Sequence, residues 1–396
     1  MWQDTRNESI VTEKKKEEAF VQKLTGARIN TVFSGTKMTW FRRNEPELYE
    51  QTYKICTIAD LIVHEMPGQF STDLTYGARS LLMNIHTGQW DDQLLDYFEV
   101  EKEKLCTLVP QGSIIGTISK RFADKTGISQ GIPLISAGGD QQCAALGQGI
   151  IEPGSVEITV GTGAFLLGYC EQIPNDLSGD MICGVHAIPD KYVLEGSILT
   201  CAALYNWAKK EFFSNATSFE QMNAEVESSP AGANGCLALP YFQGRGTPDW
   251  NSSAKGAFLN MNLGTTRGDM IRALLEGIAL EISNNLDIME RYAGIFDRAY
   301  IGGGLTNFHA FNQILSDSSQ HMLLKEKLMS EQTAFGAWMS AAVTLKLVPD
   351  YASAFAKKRT HDYEQIQPDP KYQDLYKKKK DEMNLAYSQL FGKKTA

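Results

Sequence analysis

The chain has 396 residues, more than one hydrophobic core usually serves, so two domains are expected. Apolar residues make up 43% and charged residues 21%, which excludes a disordered, fibrous or collagen-like chain. A net charge of −9 argues against a nucleic-acid partner, and no apolar run approaches the ~20 residues that a membrane span needs. The first residues, Met1-Trp2-Gln3-Asp4-Thr5-Arg6, carry no apolar core of a signal peptide. The seven cysteines are scattered, odd in number and without a CxxC pair. They read as buried thiols of a reducing compartment, which predicts a cytoplasmic protein without a disulfide framework or zinc spacing.

In chain order, the first stretch is helical with polar breaks. Pro46 stands near a helix start, and turn signals follow at Pro67-Gly68-Gln69. A helix-and-loop segment is expected from there to Pro110. Gly131 to Gly139 reads as a buried strand stopped by glycines, with Asp140 just past its end. Ser155–Val160 alternates as a strand, Gly161-Thr162-Gly163 turns, and Ala164–Tyr169 alternates back as a hairpin. Thr266 is placed to cap a helix with Asp269 three residues on. Met270, Ile271, Leu274, Leu275, Ile278 and Ile282 form that helix's apolar stripe. Ala299-Tyr300-Ile301 predicts a short strand running into Gly302-Gly303-Gly304, with a helix from about Asn307. Lys377 to Lys380 lie on a terminal helix with Leu375, Leu385 and Leu390, and read as a solvated face. No internal repeat is seen, and a domain boundary is placed near residue 149.

Three glycine-rich turns stand out: Gly138-Gly139-Asp140, Gly161-Thr162-Gly163 and Gly302-Gly303-Gly304. Glycine lets backbone approach a ligand closely, and successive N–H groups form anion-binding nests. Any one of them alone is more often a plain tight turn, and none fits a Walker A or GxGxxG pattern. Three together favour a nucleotide phosphate site. Asp140 beyond a buried strand suits a base that takes a proton from a substrate hydroxyl, and suits a helix cap about equally well. Trp2 and Phe165 offer apolar walls to a sugar or polyol, with Asp4 or Gln141 reading hydroxyls, although lone aromatics are more often core. The histidines show no ligand spacing.

At these residues the sequence resembles a known family. Gly139-Asp140-Gln141-Gln142-Cys143-Ala144-Ala145-Leu146-Gly147, Gly161-Thr162-Gly163, Ile301 to Asn307 and Glu331 to Ala337 resemble, in that order, the FGGY family of carbohydrate kinases. Trp2-Gln3-Asp4-Thr5-Arg6 looks like the family's W-x-D-x-R element. Phe33-Ser34-Gly35-Thr36-Lys37 and Asn84 to Trp90 are similar to glycerol kinases in particular.

The resemblance implies an α/β protein of two actin-like (ribonuclease H-like) ATPase domains that close on ATP, Mg²⁺ and a sugar or polyol. Residues 1–149 would be the substrate side and 150–396 the nucleotide side. The implied activity is ATP-dependent phosphorylation of a sugar or polyol hydroxyl, with a small-molecule partner and no nucleic-acid or membrane partner. A homo-oligomer is compatible with the chain. By position, Asp140 would be the general base, and Trp2, Asp4, Gln141 and Phe165 would contact substrate. Gly161, Thr162 and Gly163 would meet phosphates, and Asn206, Gly303, Gly304 and Asn307 would lie near the nucleotide. Asn206 stands where glycerol kinases place a glutamine, Ala202 where they place a glycine, and Val32 where a tyrosine contacts glycerol. The family opens with a D-x-G-T strand-turn-strand ahead of W-x-D-x-R, whereas here Met1 directly precedes Trp2. The expectation is a first domain without its leading strands, hence without the metal-holding Asp. No metal ligand is assigned. The alternative is a truncated or degenerate, non-catalytic member that binds nucleotide or a partner.

Overall fold

A computed structural model describes residues 4–327, 331–358 and 362–392. The chain divides into two compact units. The first gathers 1–151, 169–193 and 330–359, and the second gathers 152–168, 194–329 and 360–396. A reading as two consecutive halves split near 149 therefore differs from the contacts, because two later segments return to the first unit. No helix of the described residues is long and apolar enough to cross a membrane.

In the first unit, helices Glu8–Lys14, Glu18–Thr25 and Ser34–Asn44 precede Pro46–Gln51, which starts on its proline. Helix Ile58–Glu65 opens on a capping box of Thr57 and Asp60. The segment expected to be helix and loop to Pro110 also holds strands. Ser71–Asp73 pairs in parallel with Thr107–Val109, and Met83–Asn84 pairs antiparallel with Gln89–Trp90. Strands of two or three residues carry no readable period and exist through their pairing. The expected strand at 131–139 shortens to Pro133–Ile135.

Helix Asp140–Gln148 is crossed by helix Gln332–Thr344 at two glycines. A Cβ on Gly147 would lie 2.0 Å from the Gln332 carbonyl oxygen, and one on Gly336 would lie 1.9 Å from that of Cys143. The backbones therefore touch. Leu146, Ile188, Met339 and Ala342 form a core beside the crossing. His186, fully buried, donates from Nε2 to the Ile150 carbonyl at 2.8 Å and accepts the Ile188 N–H at Nδ1 at 2.9 Å.

In the second unit a mixed sheet takes the order Tyr363–Ile366, Leu323–Glu326, Arg298–Gly302, Ser155–Val160, Ala164–Cys170, Tyr192–Ile198. The expected hairpin is present, with Val160 opposite Ala164. Arg298–Gly302 runs parallel to Ser155–Val160, so both strands end at one edge of the sheet. The 27-residue helix Arg267–Ala293 carries the expected capping box of Thr266 and Asp269.

The terminal helix Gln373–Phe391 corrects the lysine reading at one position, since Lys377 and Lys378 are exposed as a solvated face requires but Lys379 is not. Lys379 is only 4% exposed, and its Nζ meets a Glu276 carboxylate oxygen at 3.0 Å and the Cys236 carbonyl at 2.7 Å. The face it shares is Tyr376, Met383 and Tyr387, while Leu385 and Leu390 point to solvent. A buried acid on the neighbouring helix turns this lysine inward, since a buried charge needs a partner.

Candidate active site

Asp140 is the first residue of its helix, and the N-cap is Gly139. The cap alternative therefore falls on the wrong residue. A glycine has no side chain with which to cap, and among the described residues Asp140 Oδ1 takes only the adjacent Gln141 N–H, at 2.8 Å. Both Asp140 and Gln141 are exposed.

The turn that presents Asp140 is clamped by side chains. The Gly139 N–H donates to Thr75 Oγ1 at 2.7 Å, and the Thr75 hydroxyl donates to Asp73 Oδ1. That same oxygen caps helix Leu74–Ala78 by accepting the Thr75 N–H at 2.7 Å and the Tyr76 N–H at 3.3 Å. Burial pushes the Asp73 carboxyl up, against the pull of these bonds. On the other side, the Cys143 thiol donates to the Ala137 and Gly138 carbonyls at 3.5 Å each. Burial, with Asp73 and Asp140 nearby, pushes that thiol up to about 12, so it keeps its proton. Gly138 sits at φ +113°, a conformation that glycine adopts freely.

Asp4 commits its carboxylate to Arg6: Nε reaches Oδ1 at 3.0 Å and Nη2 reaches Oδ2 at 2.6 Å. The Arg6 hydrogen bonds hold this carboxyl well below the usual range. The Arg6 guanidinium lies 4.5 Å from the Trp40 ring centroid, and Lys37 Nζ donates to the Asp4 carbonyl at 3.1 Å. Trp2 lies outside the described residues.

The second unit brings two of the three glycine turns together. Gly302 pairs with Thr159, and Gly303 lies against the other strand end, where an added Cβ would stand 2.5 Å from the Val160 carbonyl oxygen. Gly163 is as tightly placed, 2.3 Å from the Ile198 carbonyl oxygen by the same measure. The hairpin turn also caps helix Ala202–Phe212, whose N-cap Cys201 offers no capping side chain. Gly161 O accepts the Ala202 N–H at 2.9 Å, and Thr162 O accepts those of Cys201 and Ala203 at 2.8 and 3.2 Å. This helix carries Asn206, and its Tyr205 stacks on Phe308 at 6.1 Å, next to Asn307. Thr162, Asn206, Gly303, Gly304 and Asn307 are all exposed. A Cβ on Gly304 would meet nothing within 4 Å, and one on Gly161 only an oxygen at 3.9 Å. Phe165 is 48% exposed, while every other residue of its strand is buried.

Sequence reasoning missed Asp73, Thr75 and Cys143 as parts of this arrangement. Asp73-x-Thr75 carried a local capping signal, but nothing local joins it to Gly139. It also missed Glu157, which is 4% exposed on the strand leading to the hairpin turn. Its Oε1 accepts the Thr159 hydroxyl at 2.7 Å and its Oε2 has no partner among the described residues. Among the described residues no three His, Cys, Asp or Glu side chains are grouped to hold a metal ion.

Comparison with known proteins gives these groups a setting. Residues 1–147 match the N-terminal domain, and 156–345 the C-terminal domain, of the FGGY family of carbohydrate kinases. A glycerol kinase of Rhodopirellula baltica is 31% identical over 360 residues, which cover 87% of this chain and 65% of the relative. A xylulose kinase of Bacillus subtilis is 29% identical over 387 residues, covering 95% of this chain and 77% of the relative. Among solved structures, Plasmodium falciparum glycerol kinase with ADP superposes with a TM-score of 0.87 at 28% identity, covering 99% of this chain and 78% of that one. The chain thus spans less than two thirds of the first relative's length and about three quarters of the other two. The fold is α/β, with two actin-like (ribonuclease H-like) ATPase domains. The chain belongs to the FGGY family of carbohydrate kinases.

Proposed function

We propose that the protein transfers the γ-phosphoryl group of ATP to a hydroxyl of a small sugar or polyol, with Asp140 as general base. The observation that carries this is the exposed Asp140 carboxylate, presented at a helix start by a turn clamped from both sides. The hydroxyl proton passes to Asp140, the freed oxygen bonds to the γ-phosphorus, and the bond to the bridging oxygen breaks to release ADP. Gly161, Gly163, Gly303 and Gly304 allow close backbone approach to the nucleotide, beside Thr162, Asn206 and Asn307. The ADP held by the Plasmodium relative supports a nucleotide ligand for this chain. Gln141 and Phe165, with Trp2 and Asp4, are the substrate contacts we assign. We thus keep 1–149 as the substrate side and 150–396 as the nucleotide side, with Phe165 the exception. Mg²⁺ bound together with ATP needs only one or two carboxylates of a protein, so the lack of a three-ligand group among the described residues assigns no ligand, and no step is drawn through the ion. Seven free thiols support a cytoplasmic setting. The relatives named above are kinases and lend no support to a non-catalytic reading.

Val32 sharpens the substrate. It is 49% exposed and its side chain has no hydrogen-bonding atom. A site without one hydroxyl partner gives up ~1–3 kcal/mol of discrimination, so we read the substrate as a four- to six-carbon sugar or polyol. The test is ADP release from ATP across a panel of glycerol, xylulose, gluconate and longer polyols. Glycerol ranking first would overturn the substrate class, and no turnover on any acceptor would overturn the activity.

A further inference from the structure

The structure assigns Thr75, anchored by the buried Asp73, as the positioning residue for the Asp140 base. This rests on the reading of Asp140 as that base. Thr75 is 2% exposed and reaches across 64 residues of sequence to accept the Gly139 N–H, the last backbone donor before Asp140. One hydroxyl has one proton, and here it is spent on Asp73 Oδ1, which leaves the oxygen lone pairs facing Gly139. Asp73 in turn cannot swing, because the same Oδ1 holds two backbone N–H groups at the start of helix Leu74–Ala78. The Thr75 methyl completes the fit, 3.2 Å from the point where Gly138 would carry a Cβ. The path is thus rigid helix start, carboxylate, hydroxyl, amide, base. A base must sit within hydrogen-bond reach of its proton, and a displacement of ~1 Å costs on the order of 100-fold in rate. Thr75 touches no reacting atom, so its effect passes through Asp140.

The experiment uses the full chain and three substitutions. Thr75→Val keeps the shape and removes the hydroxyl, Thr75→Ser keeps the hydroxyl, and Asp140→Asn is the reference. With ATP and the best acceptor of the panel, Thr75→Val is expected to lower kcat ~10- to 100-fold with KM for ATP changed less than about twofold. Thr75→Ser is expected to restore most of kcat. Added to Asp140→Asn, Thr75→Val should cost nothing further, since a residue acting through another is not additive with it. Independently of turnover, amide exchange at Gly139 should speed up ~10-fold or more in Thr75→Val, while amides later in helix Asp140–Gln148 keep their protection. A loss of melting temperature with unchanged kcat, or a Gly139 amide still protected in Thr75→Val, would overturn the positioning role. An Asp140→Asn variant that still turns over would instead overturn the base assignment, so the two failures are distinguishable.

Discussion

The two units hold their glycine-rich turns by different means. In the first, the Gly138-Gly139-Asp140 turn is clamped by a hydroxyl and a thiol, groups that a single substitution removes. In the second, the turns at 161–163 and 302–304 are held by backbone against backbone. Carbonyls cap a helix there, and Gly163 and Gly303 sit where no Cβ fits. Side chains aim one carboxylate. Under the proposed function, backbone there would meet a charged ligand with no side chain in its way. The first kind of turn is tuned by deleting atoms, the second is broken by adding them.

The largest effect is expected where the proposed chemistry rests on one side chain. Asp140→Asn keeps an oxygen for the Gln141 N–H but cannot take a proton, so kcat should fall ~10²–10⁴-fold with nucleotide affinity retained. Stopped-time ADP assays with nucleotide titration check both halves. A loss of melting temperature at normal rate would return Asp140 to a structural role.

The backbone-held region predicts a split between neighbouring glycines. Gly303→Ala forces a Cβ against the Val160 carbonyl at φ +93°, and should cost ~2–4 kcal/mol of stability. Gly304→Ala meets open space, so the melting temperature should hold while nucleotide affinity falls ~10-fold. Equal melting losses for both, with nucleotide affinity unchanged, would erase the distinction between the two kinds of turn.

What was legible in the sequence follows the same division. The hairpin around Gly161-Thr162-Gly163 and the helix after Thr266-x-x-Asp269 were readable because turn chemistry and capping are written within a few residues. The Thr75 clamp was not, because its partner lies 64 residues on. Lys379 misled for the same reason: its acid, Glu276, lies 103 residues away, and a lysine run without its partner reads as surface. Asp140 was singled out from its place after a strand and two glycines, yet its role came from resemblance, since position alone suited a cap equally well.

Two buried titratable groups, His186 in the first unit and Glu157 in the second, carry opposite pH signs. In the first unit, burial outweighs the Ile150 carbonyl and lowers His186 to about 4 from 6.5. Its contribution is therefore full above pH 6.5 and is lost as pH falls towards 4. At 1.36 kcal/mol per pKa unit that is ~3 kcal/mol, which thermal melts should register between those values. His186→Gln, able to accept from Ile188 and donate to Ile150, should flatten this acid limb. In the second unit, burial raises Glu157 to about 7 from 4.5, opposed by the Thr159 hydroxyl. A carboxyl raised in the fold contributes its stability below pH 4.5 and loses it as pH rises through about 7. Glu157→Gln removes the ionisable group while keeping an oxygen for Thr159, although its amide must also be buried. A net gain of ~1–2 kcal/mol at pH 8 is expected, turning into a net loss of similar size by pH 4.5, where the neutral carboxyl of the parent contributes in full. The measurement is the difference in melting between variant and parent across that range. A difference that stays constant with pH would mean that Glu157 does not titrate there, and the unpartnered Oε2 would need another explanation.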